Sequence, residues 1–133
     1  MSKIVIMESL GISAEELAAR KAPFEAQGHV FVDYPKTTDS AQLVEEAKDA
    51  DAMILANMQM PADVLRKCDK LKFIDVAFTG VDHVGLDAAK EKNIAVSNAS
   101  GYSNEAVSEL VIGTTLSLAR NLRSVEDRCR EGK

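Results

Sequence analysis

Phe73-Ile74-Asp75-Val76-Ala77-Phe78, followed by Thr79-Gly80-Val81-Asp82-His83-Val84, is an apolar run that breaks into a short glycine-containing turn before a helical pattern restarts. A strand that ends this way exposes main-chain N–H groups at the carboxyl edge of a sheet, where open α/β folds bind small anions. Whether the chain is such a fold depends on what flanks the run.

On both sides, strand and helix patterns alternate. Ile4 to Met7 reads as a buried strand and Glu8 to Ser13 as the loop above it. Ser13 is placed to cap a helix from Ala14 to about Gln27, with Glu16 completing a capping box and Gly28 as the stop. His29 to Tyr34 is predicted as the second strand. Asp39 or Ser40 then caps a helix carrying Leu43, Val44 and Ala47, and Ala52 to Ala56 is the third strand. Pro61 opens a short helix through Cys68, Leu71 to Phe78 is the fourth strand, Leu86 to Lys92 a helix, and Ile94 to Ser97 the fifth strand. This spacing suits right-handed βαβ units and predicts a mainly parallel five-stranded sheet covered on both faces. The economical topology is a flavodoxin-like three-layer α/β sandwich of order 2-1-3-4-5.

Residues 1–100 form that core in this reading, and 101–133 a turn and one long helix. From Asn104 to Arg130 there is no proline, and Val107, Leu110, Val111, Thr114, Leu118, Leu122 and Val125 recur at helical spacing. Ala106, Ile112, Leu116 and Ala119 widen the apolar surface beyond what one sheet face needs, so the helix is expected to contact something besides its own sheet. A homodimer is the expected assembly, the helix either folding back onto its own sheet or swapping into a second subunit. The ending at Gly132-Lys133 reads as a cut.

The 133 residues, 46% of them apolar, suffice for one core. A net charge of -5 argues against a nucleic-acid partner, which would want clustered Lys and Arg. No apolar run reaches membrane-spanning length and the N-terminus lacks a signal-peptide pattern, so no membrane partner and a cytoplasmic location are expected. Cys68 and Cys129 belong to no metal-ligand cluster, so no metal site is predicted.

The Thr79-Gly80-Val81 turn can hold a carboxylate through consecutive N–H groups; the bland alternative is that Gly80 only turns the chain. Asp82 reads as a cap or turn brace. His83 has no identifiable triad partner and reads as structural or surface. Met58 and Met60, after the third strand, either line an adaptable apolar wall or fill core space. Ser100 to Asn104 either place donors toward the same cleft or merely cap and turn. No GxGxxG, phosphate loop or HExxH occurs, and no catalytic residue is identified.

Taken in order, Phe73 to Asp87, Ala88-Ala89, Asn93 to Asn98, Gly101-Tyr102-Ser103-Asn104, Val107 to Gly113 and Leu118 to Asn121 resemble the N-terminal half of D-isomer-specific 2-hydroxyacid dehydrogenases, near the phosphoglycerate and formate dehydrogenase branches. The resemblance covers essentially the whole chain. It implies a flavodoxin-like substrate domain into which a Rossmann domain for NAD or NADP is inserted after the long helix. It also implies that N–H groups around Thr79 and Gly80 hold the carboxylate of a small 2-hydroxy or 2-oxo acid, that Met58 to Met60 line the outer pocket, and that Val107 begins a stretch packing near the cofactor. Ser103 falls near the position where formate dehydrogenases carry an asparagine side chain, and Ser100-Gly101 stands where many relatives have proline before glycine. The family's catalytic histidine, its acidic partner and the orienting arginine correspond to sequence beyond residue 133. The chain alone is therefore expected to be inactive and to bind no cofactor tightly. The other reading open is a stand-alone flavodoxin-like binding or interaction module; flavin binding would rest on fold analogy alone.

Overall fold

Five short runs dominated by apolar residues pair side by side in the computed structural model, which describes residues 1–133. The strands are β1 (Lys3–Ile6), β2 (Val30–Asp33), β3 (Ala52–Leu55), β4 (Phe73–Val76) and β5 (Ala95–Asn98). They form one sheet of order β2-β1-β3-β4-β5 in which every pairing is parallel. Between them lie α1 (Ala14–Glu25), α2 (Ser40–Ala47), α3 (Ala62–Leu65) and α4 (Leu86–Glu91). All belong to the first of two compact units, Met1–Ser100; the second is Gly101–Lys133.

Strand side chains alternate between the sheet's faces. On one face Val5, Met53 and Ile74 lie in register and are fully buried against Leu43 and Ala47 of α2, Val64 and Leu65 of α3, and Ala88 and Ala89 of α4. The opposite register row, Asp33, Ile6, Ile54, Asp75 and Ser97, carries acids and a hydroxyl among its apolar members. The helical layers of the first unit are thus unequal. Three helices cover the first face, whereas α1 lies over the second, with Phe24 edge-on to Phe31 of β2 at 6.2 Å between ring centroids. No residue of α1 is buried.

Local signals explain most helix ends. Ser13 Oγ accepts from the Glu16 N–H at 3.1 Å, but the Glu16 carboxylate turns to Arg20, so only half of the expected capping box forms. Asp39, rather than Ser40, caps α2 by accepting from the Ala41 N–H at 2.8 Å. Pro23 lies in the last turns of α1, where it removes an N–H donor, and the helix stops at Glu25 rather than near Gln27.

In the second unit the single helix expected from Asn104 to Arg130 is two: α5 (Asn104–Ala119) and α6 (Leu122–Arg130). Asn121 interrupts them in the left-handed conformation, with φ 52°. Asparagine tolerates that region better than most side chains, so a helix can end there without glycine. Neither helix buries a residue.

One glycine is required by packing. A Cβ on Gly85 would sit 2.6 Å from both Cα and N of Ala62 at the start of α3, with backbone as the obstacle. Gly85→Ala is predicted to cost roughly 1–3 kcal/mol by overpacking, read as a lower urea midpoint; an unchanged midpoint would show that the two segments separate freely.

Candidate functional site

A parallel sheet gathers the carboxyl ends of its strands at one edge, and the turn after β4 is fastened there by its neighbours. The Ala77 N–H donates to Leu55 O at 2.8 Å, and the Ala99 N–H, just past β5, donates to Val76 O at 3.1 Å and Phe78 O at 3.0 Å. Asn98 Nδ2 donates to Thr79 O at 2.7 Å. The turn's carbonyls are thereby engaged from the β5 side. The N–H groups of Gly80 and Val81, next along the chain, donate to nothing.

The loop after β3 is joined to the same region. Beyond the regular ladders, Met60 and Val84 form an isolated parallel bridge. The Met60 N–H donates to His83 O at 2.8 Å and the Gly85 N–H to Met60 O at 2.9 Å. Met58 and Met60 are buried in the core cluster. Of the two roles open to them, their side chains take core filling, and they do not form an exposed wall in this unit. His83 contributes its carbonyl to the bridge, and its Nε2 is buried with no partner. Asp82 lies in the turn, but the cap position of α4 is Gly85.

Glu8 is the residue whose role the sequence reading missed, placing it only in the loop above β1. It is 5% exposed. Its Oε1 accepts from the Ala56 N–H at 2.9 Å and the Met58 N–H at 2.6 Å, and Lys36 Nζ lies 3.2 Å from Oε2. One carboxylate thus ties the ends of β1 and β3. Its partners are 48 and 50 residues away, so no local pattern announced them. The only available signal was an acid directly behind an apolar strand.

The remaining expected residues belong to the second unit. Ser103 occupies the cap position before α5, and its carbonyl accepts from the Val107 N–H at 2.9 Å. Val107, in the first turn, is 54% exposed. Elsewhere, Cys68 is buried and its thiol donates to Val64 O, with burial pushing its pKa up; this is a structural thiol. No group of three His, Cys, Asp or Glu side chains is placed to hold a metal ion, and no helix is long and apolar enough to cross a membrane.

Burial works to raise the Glu8 pKa, but the Met58 and Ala56 N–H groups and Lys36 outweigh it and hold the carboxyl below its ordinary value of 4.5. Ionised Glu8 therefore contributes stability that is present above pH 4.5 and lost as pH falls through the lower folded value. Glu8→Gln should be less stable than the parent at pH 7, with the gap narrowing below pH 4.5. Urea unfolding across that range checks this, and a gap independent of pH would contradict it.

Known proteins resemble this chain over nearly its whole length. The family profile described as D-isomer specific 2-hydroxyacid dehydrogenase, catalytic domain, matches residues 4–131. A Haemophilus influenzae protein assigned as a 2-hydroxyacid dehydrogenase is 37% identical over 120 residues, covering 90% of this chain and 36% of that protein. The D-3-phosphoglycerate dehydrogenase of Methanocaldococcus jannaschii is 38% identical over 93 residues, covering 69% and 18% respectively. Among solved structures, NAD-dependent formate dehydrogenase from Staphylococcus aureus in complex with NAD superposes with a TM-score of 0.74 at 28% identity, over 98% of this chain and 42% of that one. The chain spans less than half the length of each of these relatives. With nearly every residue matched and the fold in agreement, the chain belongs to the D-isomer-specific 2-hydroxyacid dehydrogenase family, as a substrate-domain portion.

Proposed function

We propose that this chain supplies the carboxylate-binding wall of an NAD(P)-dependent D-2-hydroxyacid dehydrogenase, with the Thr79-Gly80-Val81 turn as the cradle. The observation that carries this reading is the pair of successive N–H donors at Gly80 and Val81 that the chain leaves unused. Gly80 supports it further. Its φ is not in the left-handed region, and an added Cβ would make only ordinary contact, 3.5 Å from Asp82 Oδ2. Neither a left-handed φ nor packing demands glycine there, and its bare backbone suits close approach of a ligand.

The turn binds and orients. Charge-assisted bonds from two fixed N–H groups would hold the carboxylate of a 2-hydroxy or 2-oxo acid, and exposed Phe78 offers apolar surface beside it. Met58 and Met60 would support this pocket from behind, by packing. Ser103 and Val107 are assigned by family resemblance alone, to the substrate and to an apolar contact with the cofactor. When bound in the complete parent, the nicotinamide supplies the hydride-accepting carbon. The residues present do not fit the dinucleotide's phosphates: the seven glycines are scattered and form no phosphate-binding loop. No proton-transfer group is assigned either, since His83 lacks an orienting partner.

A second reading, a self-standing binding or interaction module, is favoured by one observation: the whole buried core lies within residues 1–100. Calorimetry separates the two, because the dehydrogenase portion alone should bind glyoxylate, pyruvate or hydroxypyruvate only at millimolar Kd, about -4 kcal/mol, whereas a dedicated module would reach micromolar.

Titration of the ¹⁵N-labelled chain with glyoxylate should move the Gly80 and Val81 amide signals saturably, and NADH should not be consumed. Shifts that spare both residues would refute the cradle, and steady NADH oxidation would refute the chain's dependence on residues it lacks. For assembly we propose a homodimer through α5, where Leu110 to Ala119 contains no charge and no residue is buried. A helix apolar all round is normally covered on more than one side. Light scattering should give twice the chain mass at micromolar concentration; a monomer throughout would exclude this.

A further inference from the structure

In the order β2-β1-β3-β4-β5 the chain winds away from β1 in both directions, so the carboxyl ends of β1 and β3 flank the switch point of the sheet. Doubly wound sheets bind their ligands in that crevice. Here Glu8 follows β1, Ala56 and Met58 follow β3 and meet it across the crevice, and a cavity of about 550 Å³ lined by Ser9, Tyr34 and Lys36 opens on the β2 side of Glu8. Its donors are already engaged. The N–H groups of Ala56 and Met58 converge on a single oxygen of Glu8, and Lys36 meets the other. Two N–H groups two residues apart, pointing at one oxygen with a cation opposite, form a small anion-binding concavity.

We infer that the switch point is a binding site for a small carboxylate, and that Glu8 occupies it as a ligand tethered to the chain. Tethering gives the side chain an effective concentration that a free acid does not reach. Substrate carboxylates are thereby kept out of the crevice where the topology would otherwise lead them. Glu8 acts as a specificity determinant by occupation, and its removal should turn a filled site into an open one.

The probe is formate, the smallest carboxylate, which fits the space vacated by the side chain's terminal group. Thermal unfolding of the parent, Glu8→Ala and Glu8→Gln is followed in increasing sodium formate, each point matched with sodium chloride at equal ionic strength. Glu8→Ala should melt below the parent and regain roughly 5 °C saturably in formate over chloride, with the Ala56 and Met58 amide signals shifting in step. If Glu8→Ala is unfolded in chloride, formate should fold it. Glu8→Gln keeps an oxygen for both N–H groups and should not respond. The parent serves as the control for formate bound elsewhere, including the turn after β4. The inference is overturned if Glu8→Ala gains no more from formate than the parent does, if it stays unfolded at every formate concentration, or if Glu8→Gln responds equally.

Discussion

Past the last ladder bonds of β3 and β4, the two segments stay joined at Met60 and Val84, and that junction requires a residue without a side chain at position 85. Ala62 leaves no room there for a Cβ. The contact is main chain to main chain, so side-chain rearrangement cannot relieve it. It fixes where the loop after β3 lies relative to the turn after β4 and where α3 and α4 begin. The arrangement of the strand-end edge in the first unit follows from it.

Along that edge, main-chain donors meet three fates. Those of Met60 and Gly85 are consumed by the bridge, and those of Ala56 and Met58 by the Glu8 carboxylate. Those of Gly80 and Val81 are left over, on a turn whose preceding carbonyl is held by Asn98. A rigid turn with unspent donors suits an anion that arrives from outside, because nothing must be broken or ordered when it binds. Glu8 shows the same chemistry satisfied internally. The two positions differ in that the donors are engaged by Glu8 at one and open at the other.

Much of this was legible in the residues. Alternating apolar runs and capping residues such as Ser13 and Asp39 fixed element order, and the parallel topology followed from βαβ spacing. Features that depend on distant partners were not legible. The need for glycine at 85 comes from Ala62, across a strand and a loop, and Glu8 works through main-chain groups some fifty residues away. The break at Asn121 was hidden because asparagine carries no strong breaking signal. The methionines were ambiguous for a different reason. Flexible apolar side chains serve a core and a pocket equally well, and only burial showed that Met58 and Met60 face inward. Ser103 read as a cleft donor or a cap and Val107 as part of an apolar helical stripe, and a substrate or cofactor role for either came from family resemblance alone, since a serine before a helix and a valine in its first turn are ordinary helix-start chemistry.

The central claim, a prebuilt edge with two donors held open, is tested most directly by amide hydrogen exchange resolved residue by residue on the unliganded chain. The Met60, Gly85 and Ala99 amides should be protected close to the level of global unfolding, while Gly80 and Val81, one turn away, exchange almost as fast as unstructured peptide. Protection at Gly80 and Val81 equal to that at Gly85 would contradict the account, because it would mean that the chain already uses the donors assigned to a ligand.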